Sequence, residues 1–189
     1  MSISIPHSIY IPNPFNTQLR TNMSTRILVA YASPKGSTAE IAQAVGKELQ
    51  SAGYGVDVIE MKSVSSLEGY NAVVIGGPFY MGKVVGDVGK FVGRYRDALT
   101  KVPGAAFSVG VAPVGKDPTK IDNAMKIFRK ALAPLEPVTE TIFSGKVDLT
   151  KLSFFQKLIV GKVNAPVGDF RDWDAIAKWA KELPKKMGV

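Results

Sequence analysis

Residues 26–45, RILVAYASPKGSTAEIAQAV, read as an apolar strand, a short turn and the start of a helix. Arg26–Tyr31 is the strand, and Ser33-Pro34-Lys35-Gly36-Ser37-Thr38 is the turn. From Ala39 onward, Ile41, Val45 and Leu49 recur at i, i+4 and i+8, which is one face of a helix. A turn rich in Ser, Thr and Gly aims hydroxyls and backbone N–H groups at one point. The helix that follows adds a partial positive charge at its N-terminus. A phosphate group is the natural guest of such a turn. The competing reading is an ordinary strand–helix connection whose Ser and Thr only cap the helix.

The same alternation continues along the chain. After the turn Gly53–Gly55, Val56–Met61 reads as a second strand and Asn71–Ile75 as a third. The third is short and continuously apolar, as expected of a strand buried on both faces. A glycine-rich loop, Gly76–Gly82, follows it. Val84, Val88, Phe91, Tyr95 and Leu99 then mark a helix, weakened by Gly86, Gly89 and Gly93. Ala105–Val111 is the fourth strand, and the loop Ala112–Lys116 leads to Asp117-Pro118, an N-cap and N1 pair. Ile121, Met125, Phe128 and Leu132 give that helix its buried face. Val138–Phe143 is the fifth strand. Asp172 is the expected N-cap of a last helix lined by Trp173, Ile176, Ala180 and Leu183. Five alternations of strand and helix define an α/β protein with a parallel sheet.

Composition removes many chemistries. At 189 residues the chain suits one domain. Its 46% apolar residues are enough for a core. There is no cysteine, so disulfides, thiolate metal sites and cysteine nucleophiles are excluded. This fits a reducing, cytoplasmic compartment. The single histidine is His7, so the core holds no Ser–His or metal–His arrangement. No carboxylates gather at the strand ends, and neither GxxxxGK[ST] nor GxGxxG after a strand occurs. No apolar run reaches the ~18 residues of a membrane-spanning helix. A crevice without catalytic side chains points to a bound cofactor as the source of chemistry. Residues 1–23 carry Pro6, Pro12 and Pro14 and read as a mobile extension to a domain at 24–189.

The segment around the first turn resembles the FMN-phosphate loop of flavodoxins. Val29, Tyr31, Ser33, Gly36, Thr38, Ala42 and Val45 fit that pattern, and Ala30 departs from it at a strand position. The resemblance implies a three-layer fold with a five-stranded parallel sheet of order 2-1-3-4-5. It implies FMN as the cofactor and electron transfer as the function. Its phosphate would lie on Ser33, Pro34, Lys35, Gly36, Ser37 and Thr38. Its ring would lie between Gly77, Pro78, Phe79, Tyr80, Met81 and Gly82 on one side and Ala112, Pro113, Val114, Gly115 and Lys116 on the other. Tyr80 is favoured over Phe79 as the aromatic cover, because its polar tip tolerates a wet rim. The second loop brings no aromatic residue, unlike many flavodoxins. A flavodoxin-fold module without a cofactor therefore stays open as an alternative.

Two features depart from small acidic flavodoxins. The chain has 24 Lys and Arg against 16 Asp and Glu, a net charge of +8. Charge of this sign selects an acidic partner, an anionic substrate or an anionic membrane surface. Nucleic acid is not expected, since no recognition motif or basic–aromatic stretch is present. The second feature is an insertion at about 144–171, where connections of about 2–6 residues are usual. Within it, Lys151–Lys162 is basic and amphipathic, with Leu152, Phe155 and Ile159 on one helical face. Such a segment suits an anionic membrane or a partner, and equally suits a cover over the domain's own core. The insertion with Phe170-Arg171-Asp172-Trp173 is similar to flavodoxin-type protoporphyrinogen dehydrogenases, and that likeness can be laid over Thr25–Lys186. It implies porphyrinogen oxidation and electron delivery to a membrane quinone. The redox partner is accordingly expected to be a protein or a quinone.

Overall fold

The structure is a computed structural model. It describes residues 25–151, 153, 154, 158 and 166–189. The expected extension 1–23 and most of the segment 151–162 lie outside these residues.

Five strands form the parallel sheet: β1 (Arg26–Tyr31), β2 (Gly55–Glu60), β3 (Ala72–Tyr80), β5 (Gly104–Gly110) and β6 (Thr139–Ser144). Their order is β2-β1-β3-β5-β6, which is the expected 2-1-3-4-5. A two-residue strand, β4 (Lys83–Val84), folds back antiparallel on the end of β3. Helices α1 (Ser37–Ser51) and α5 (Trp173–Met187) cover one face. Helices α2 (Gly86–Arg94) and α4 (Pro118–Leu132) cover the other, with the single turn α3 (Arg96–Leu99) after α2. Strand residues alternate between the two cores: Ile27 and Val29 pack under α1 and α5, Leu28 and Ala30 under α2 and α4. Phe107 and Phe128 are fully buried, one in each core. Each such side chain stabilises the fold by about 1.5–3 kcal/mol. Asp117 and Asp172 cap α4 and α5, as expected: Asp117 accepts from the Thr119 and Lys120 N–H groups, and Asp172 from that of Ala175.

Three local expectations are corrected. Gly76–Gly82 is not a loop, because β3 continues through it to Tyr80. A Cβ on Gly76 would stand 2.3 Å from the Phe107 ring, so glycine here serves close packing rather than a turn. Pro78 is tolerated because the last bond to β1 runs from the Ala32 N–H to the Gly76 carbonyl. Two residues on, the missing proline N–H points to the side that β1 has already left. The turn itself is only Met81-Gly82, both with positive φ (51° and 78°), the two-residue hairpin geometry that suits strand twist.

The helix expected over Val84–Leu99 breaks at Tyr95, whose hydroxyl donates to the Val64 carbonyl at 2.7 Å. Trp173 does not line the core. It is 45% exposed, and the buried stripe of α5 begins one turn later at Ile176. Trp179 takes the core position instead, edge-on to Phe107 and Phe143.

Candidate functional site

The carboxyl ends of β1, β3, β5 and β6 open into one cavity of about 1130 Å³. The strand order reverses between β1 and β3, so the chain leaves these two strands toward opposite faces. A crevice at that point is the usual ligand position in open α/β sheets.

From the turn after β1, Ser33, Pro34, Lys35, Ser37 and Thr38 line the cavity. Gly36 sits behind them as the N-cap of α1, with φ 95° and ψ −30°. A side chain would be strained there. Ser33 Oγ accepts from the Ala39 N–H at 3.0 Å, and Ser37 Oγ accepts from the Lys146 N–H at 3.1 Å. Each hydroxyl thereby uses a lone pair and keeps its hydrogen to donate. Capping and anion binding are therefore compatible readings of this turn. Among the described residues, the N–H groups of Gly36, Ser37 and Thr38 have no hydrogen-bond acceptor. The positive end of α1 thus has donors to spare beside the cavity.

Pro78, Phe79, Tyr80, Met81 and Gly82 line the cavity from the β3–β4 hairpin. Gly77 does not: a Cβ on it would stand 2.6 Å from Val88 Cγ2, on the α2 side of the sheet. The Tyr80 hydroxyl is not at a wet rim. It is sealed from solvent and has no partner among the described residues. Ala112, Val114 and Gly115 complete the wall after β5, while Pro113 and Lys116 stand outside the lining. Lys116 is exposed with φ 51°.

Sequence reasoning missed the fourth wall. Gly145, Lys146, Val147, Asp148 and Pro166, the two ends of the insertion, also line the cavity. β7 (Lys146–Val147) pairs antiparallel with β8 (Gly168–Asp169) and closes the base of the insertion. Below it lies Arg171, whose side chain is only 6% exposed. Its Nη1 donates to Glu40 Oε2 at 2.5 Å, and its Nε and Nη2 donate to the Asp169 carboxylate at 2.8 and 2.5 Å. The guanidinium lies 4.6 Å from the centre of the exposed Trp173 ring. These bonds hold the Asp169 carboxyl down at about 2, and they raise Arg171 further above its ordinary value, the Asp169 contact contributing most. The Arg-Asp-Trp run was visible in the sequence, but its partner Glu40 lies 131 residues away. Among the described residues, no cluster of His, Asp and Glu could hold a metal ion.

The fold and this turn define a doubly wound α/β protein with a helix end of unengaged backbone donors, among the described residues, at its switch point. The sequence model described as "Flavodoxin domain" matches residues 28–174, and the chain belongs to that family. No curated protein matches the chain in sequence. Among solved structures it is similar to a flavodoxin from the domain Archaea, at 19% identity over 87% of this chain and 100% of that one, with a TM-score of 0.53. A flavodoxin of Streptococcus pneumoniae TIGR4 is 18% identical over 86% and 99%, with a TM-score of 0.53. Oxidised flavodoxin 1 of Bacillus cereus is 14% identical over 85% and 98%, again at 0.53. Likeness at these identities establishes the fold.

Proposed function

We propose that the protein binds FMN in this cavity and exchanges electrons with a redox partner. The observation that carries the reading is the end of α1. N–H groups of residues 36–38 that have no acceptor among the described residues stand beside the hydroxyls of Ser33, Ser37 and Thr38 at a strand-order reversal. This donor set fits a phosphate dianion, and Lys35 adds positive charge. The ring would rest between residues 78–82 and 112–116. The cavity exceeds the roughly 300–1,000 Å³ of usual small-molecule sites. Bound FMN would supply the redox chemistry that the side chains lack. The chain's own part is to hold the phosphate, orient the ring and limit its contact with water. A visible flavin spectrum from purified protein, and saturable uptake of FMN by stripped protein, test this. A colourless protein without FMN affinity would mark a cofactor-free module instead.

The partner is a redox protein or a quinone, and one observation favours a membrane-borne partner. Met81, Leu149, Phe154, Leu158, Val167 and Trp173 are exposed, and all lie in segments around the cavity end or the insertion. Lys83, Lys116 and Lys146 are exposed in the same segments. Apolar and basic groups together suit an anionic lipid surface. Binding to vesicles that requires anionic lipid, weakens with salt and is lost when Lys151, Lys157 and Lys162 become Gln supports this. Equal binding to neutral vesicles, or none at all, refutes it. Quinone reduction with protoporphyrinogen as donor separates a porphyrinogen dehydrogenase from a general electron carrier.

A further inference from the structure

We infer that Arg171 is a positioning residue for the phosphate turn: by neutralising Glu40 it makes the end of α1 receptive to a phosphate-bearing ligand. The inference rests on the FMN reading given above.

Glu40 lies in the first turn of α1 and lines the cavity. A carboxylate there complements the helix dipole but opposes an anionic guest at the same helix end. Arg171 removes the conflict. Its guanidinium is almost wholly buried and so needs full pairing. The Asp169 carboxylate takes two of its donors, and a third reaches Glu40. Lys146 stands opposite Asp169 in the β7–β8 register, and its backbone N–H is bonded to Ser37 of the turn. Two carboxylates and two cations are thus balanced beside residues 36–38. Without Arg171, Glu40 and Asp169 would keep only Lys146 of this group beside them, with Lys35 the further cation of the turn. Of the partners shown for Arg171, Glu40 is the one that stands on the cavity-lining helix end.

The test compares FMN with riboflavin, the same ring and ribityl chain without the phosphate. Both are titrated into stripped protein by flavin fluorescence. Arg171→Gln should weaken FMN binding by about tenfold and leave riboflavin binding unchanged. Adding Glu40→Gln to that variant should restore most of the FMN affinity. Equal losses for both flavins would mean a purely structural clamp and overturn the inference, as would no loss for either. If Arg171→Gln does not fold, Glu40→Gln alone decides. FMN affinity above wild type, with riboflavin unchanged, supports the inference, and an unchanged FMN affinity or a parallel fall in both overturns it. A wild-type protein that binds neither flavin overturns the FMN reading itself.

Discussion

On the side of the cavity formed by residues 33–40 and the base of the insertion, side chains from distant segments are bonded to one another. Ser33 holds Ala39, Ser37 holds Lys146, and Arg171 joins Glu40 to Asp169. The opposite side, residues 80–84 and 111–116, makes no side-chain hydrogen bond among the described residues. It is held by the β3–β4 ladder and by backbone bonds of a 3-10 turn, Ala112–Gly115. Among the described residues, the two with positive φ other than glycine, Met81 and Lys116, are on this side, as is the Tyr80 hydroxyl, which has no partner there. The first wall is cross-linked, with its backbone donors held in place. The second carries local strain and an unmet hydrogen bond, which are common at sites that adjust to a ligand.

The largest expected effect tests the first wall. Ser33→Ala with Thr38→Ala removes two donors to the phosphate, each worth about 1.5–3 kcal/mol. FMN affinity should fall by roughly a hundredfold or more. An unchanged titration would show that these hydroxyls only cap α1.

Next comes a pair with opposite signs. Ser37→Ala leaves the Lys146 N–H without its acceptor and should lower ligand-free stability by about 1 kcal/mol. Tyr80→Phe deletes a buried hydroxyl with no partner and should raise it by about 1 kcal/mol. Urea unfolding of both variants measures the contrast, and the same sign for both would break it. A smaller gain is expected for Met81→Gly, since a left-handed backbone costs about 1 kcal/mol more with a side chain than without. Thermal melting checks it, and a lower midpoint would mean that the Met81 side chain supports the hairpin.

The smallest effect is a pH dependence. Asp169 titrates at about 2 in the fold against an ordinary 3.8, mainly through its bonds to Arg171. Its folded value is depressed, so its contribution is complete above about pH 4 and is lost as pH falls toward about 2. The carboxylate is 43% exposed. Solvent screening keeps the contribution to about 1 kcal/mol or less. Urea midpoints of wild type and Asp169→Asn should differ at about pH 5 and converge toward about pH 2. A constant difference across that range would place the stabilisation elsewhere.

Much of the frame was legible because its causes are local. The apolar strand Arg26–Tyr31, the turn Ser33–Thr38 and the caps Asp117 and Asp172 each depend on residues close to themselves in the chain. Alternation then left the parallel sheet as the class, and the resemblance supplied the strand order. The hairpin was not legible, because Gly76 and Gly77 look like loop residues until Phe107 and Val88 are packed against them. Trp173 and Trp179 share helix α5 and are chemically identical. Only the start of the packed stripe at Ile176 decides which one is buried. The pairing of charges beside the turn after β1 is the clearest tertiary decision. Glu40 and Arg171 are distant, ordinary surface residue types, and periodicity says nothing about pairs brought together by sheet topology. By itself the sequence determined the positions of the main strands, the capped starts of α4 and α5 and the hydroxyl-rich turn after β1, since backbone geometry and helix-end chemistry act over a few residues. The tertiary structure decided which carboxylates are neutralised, which aromatic ring is sealed in and how the insertion closes on the turn, since these follow from contacts between segments far apart in the chain.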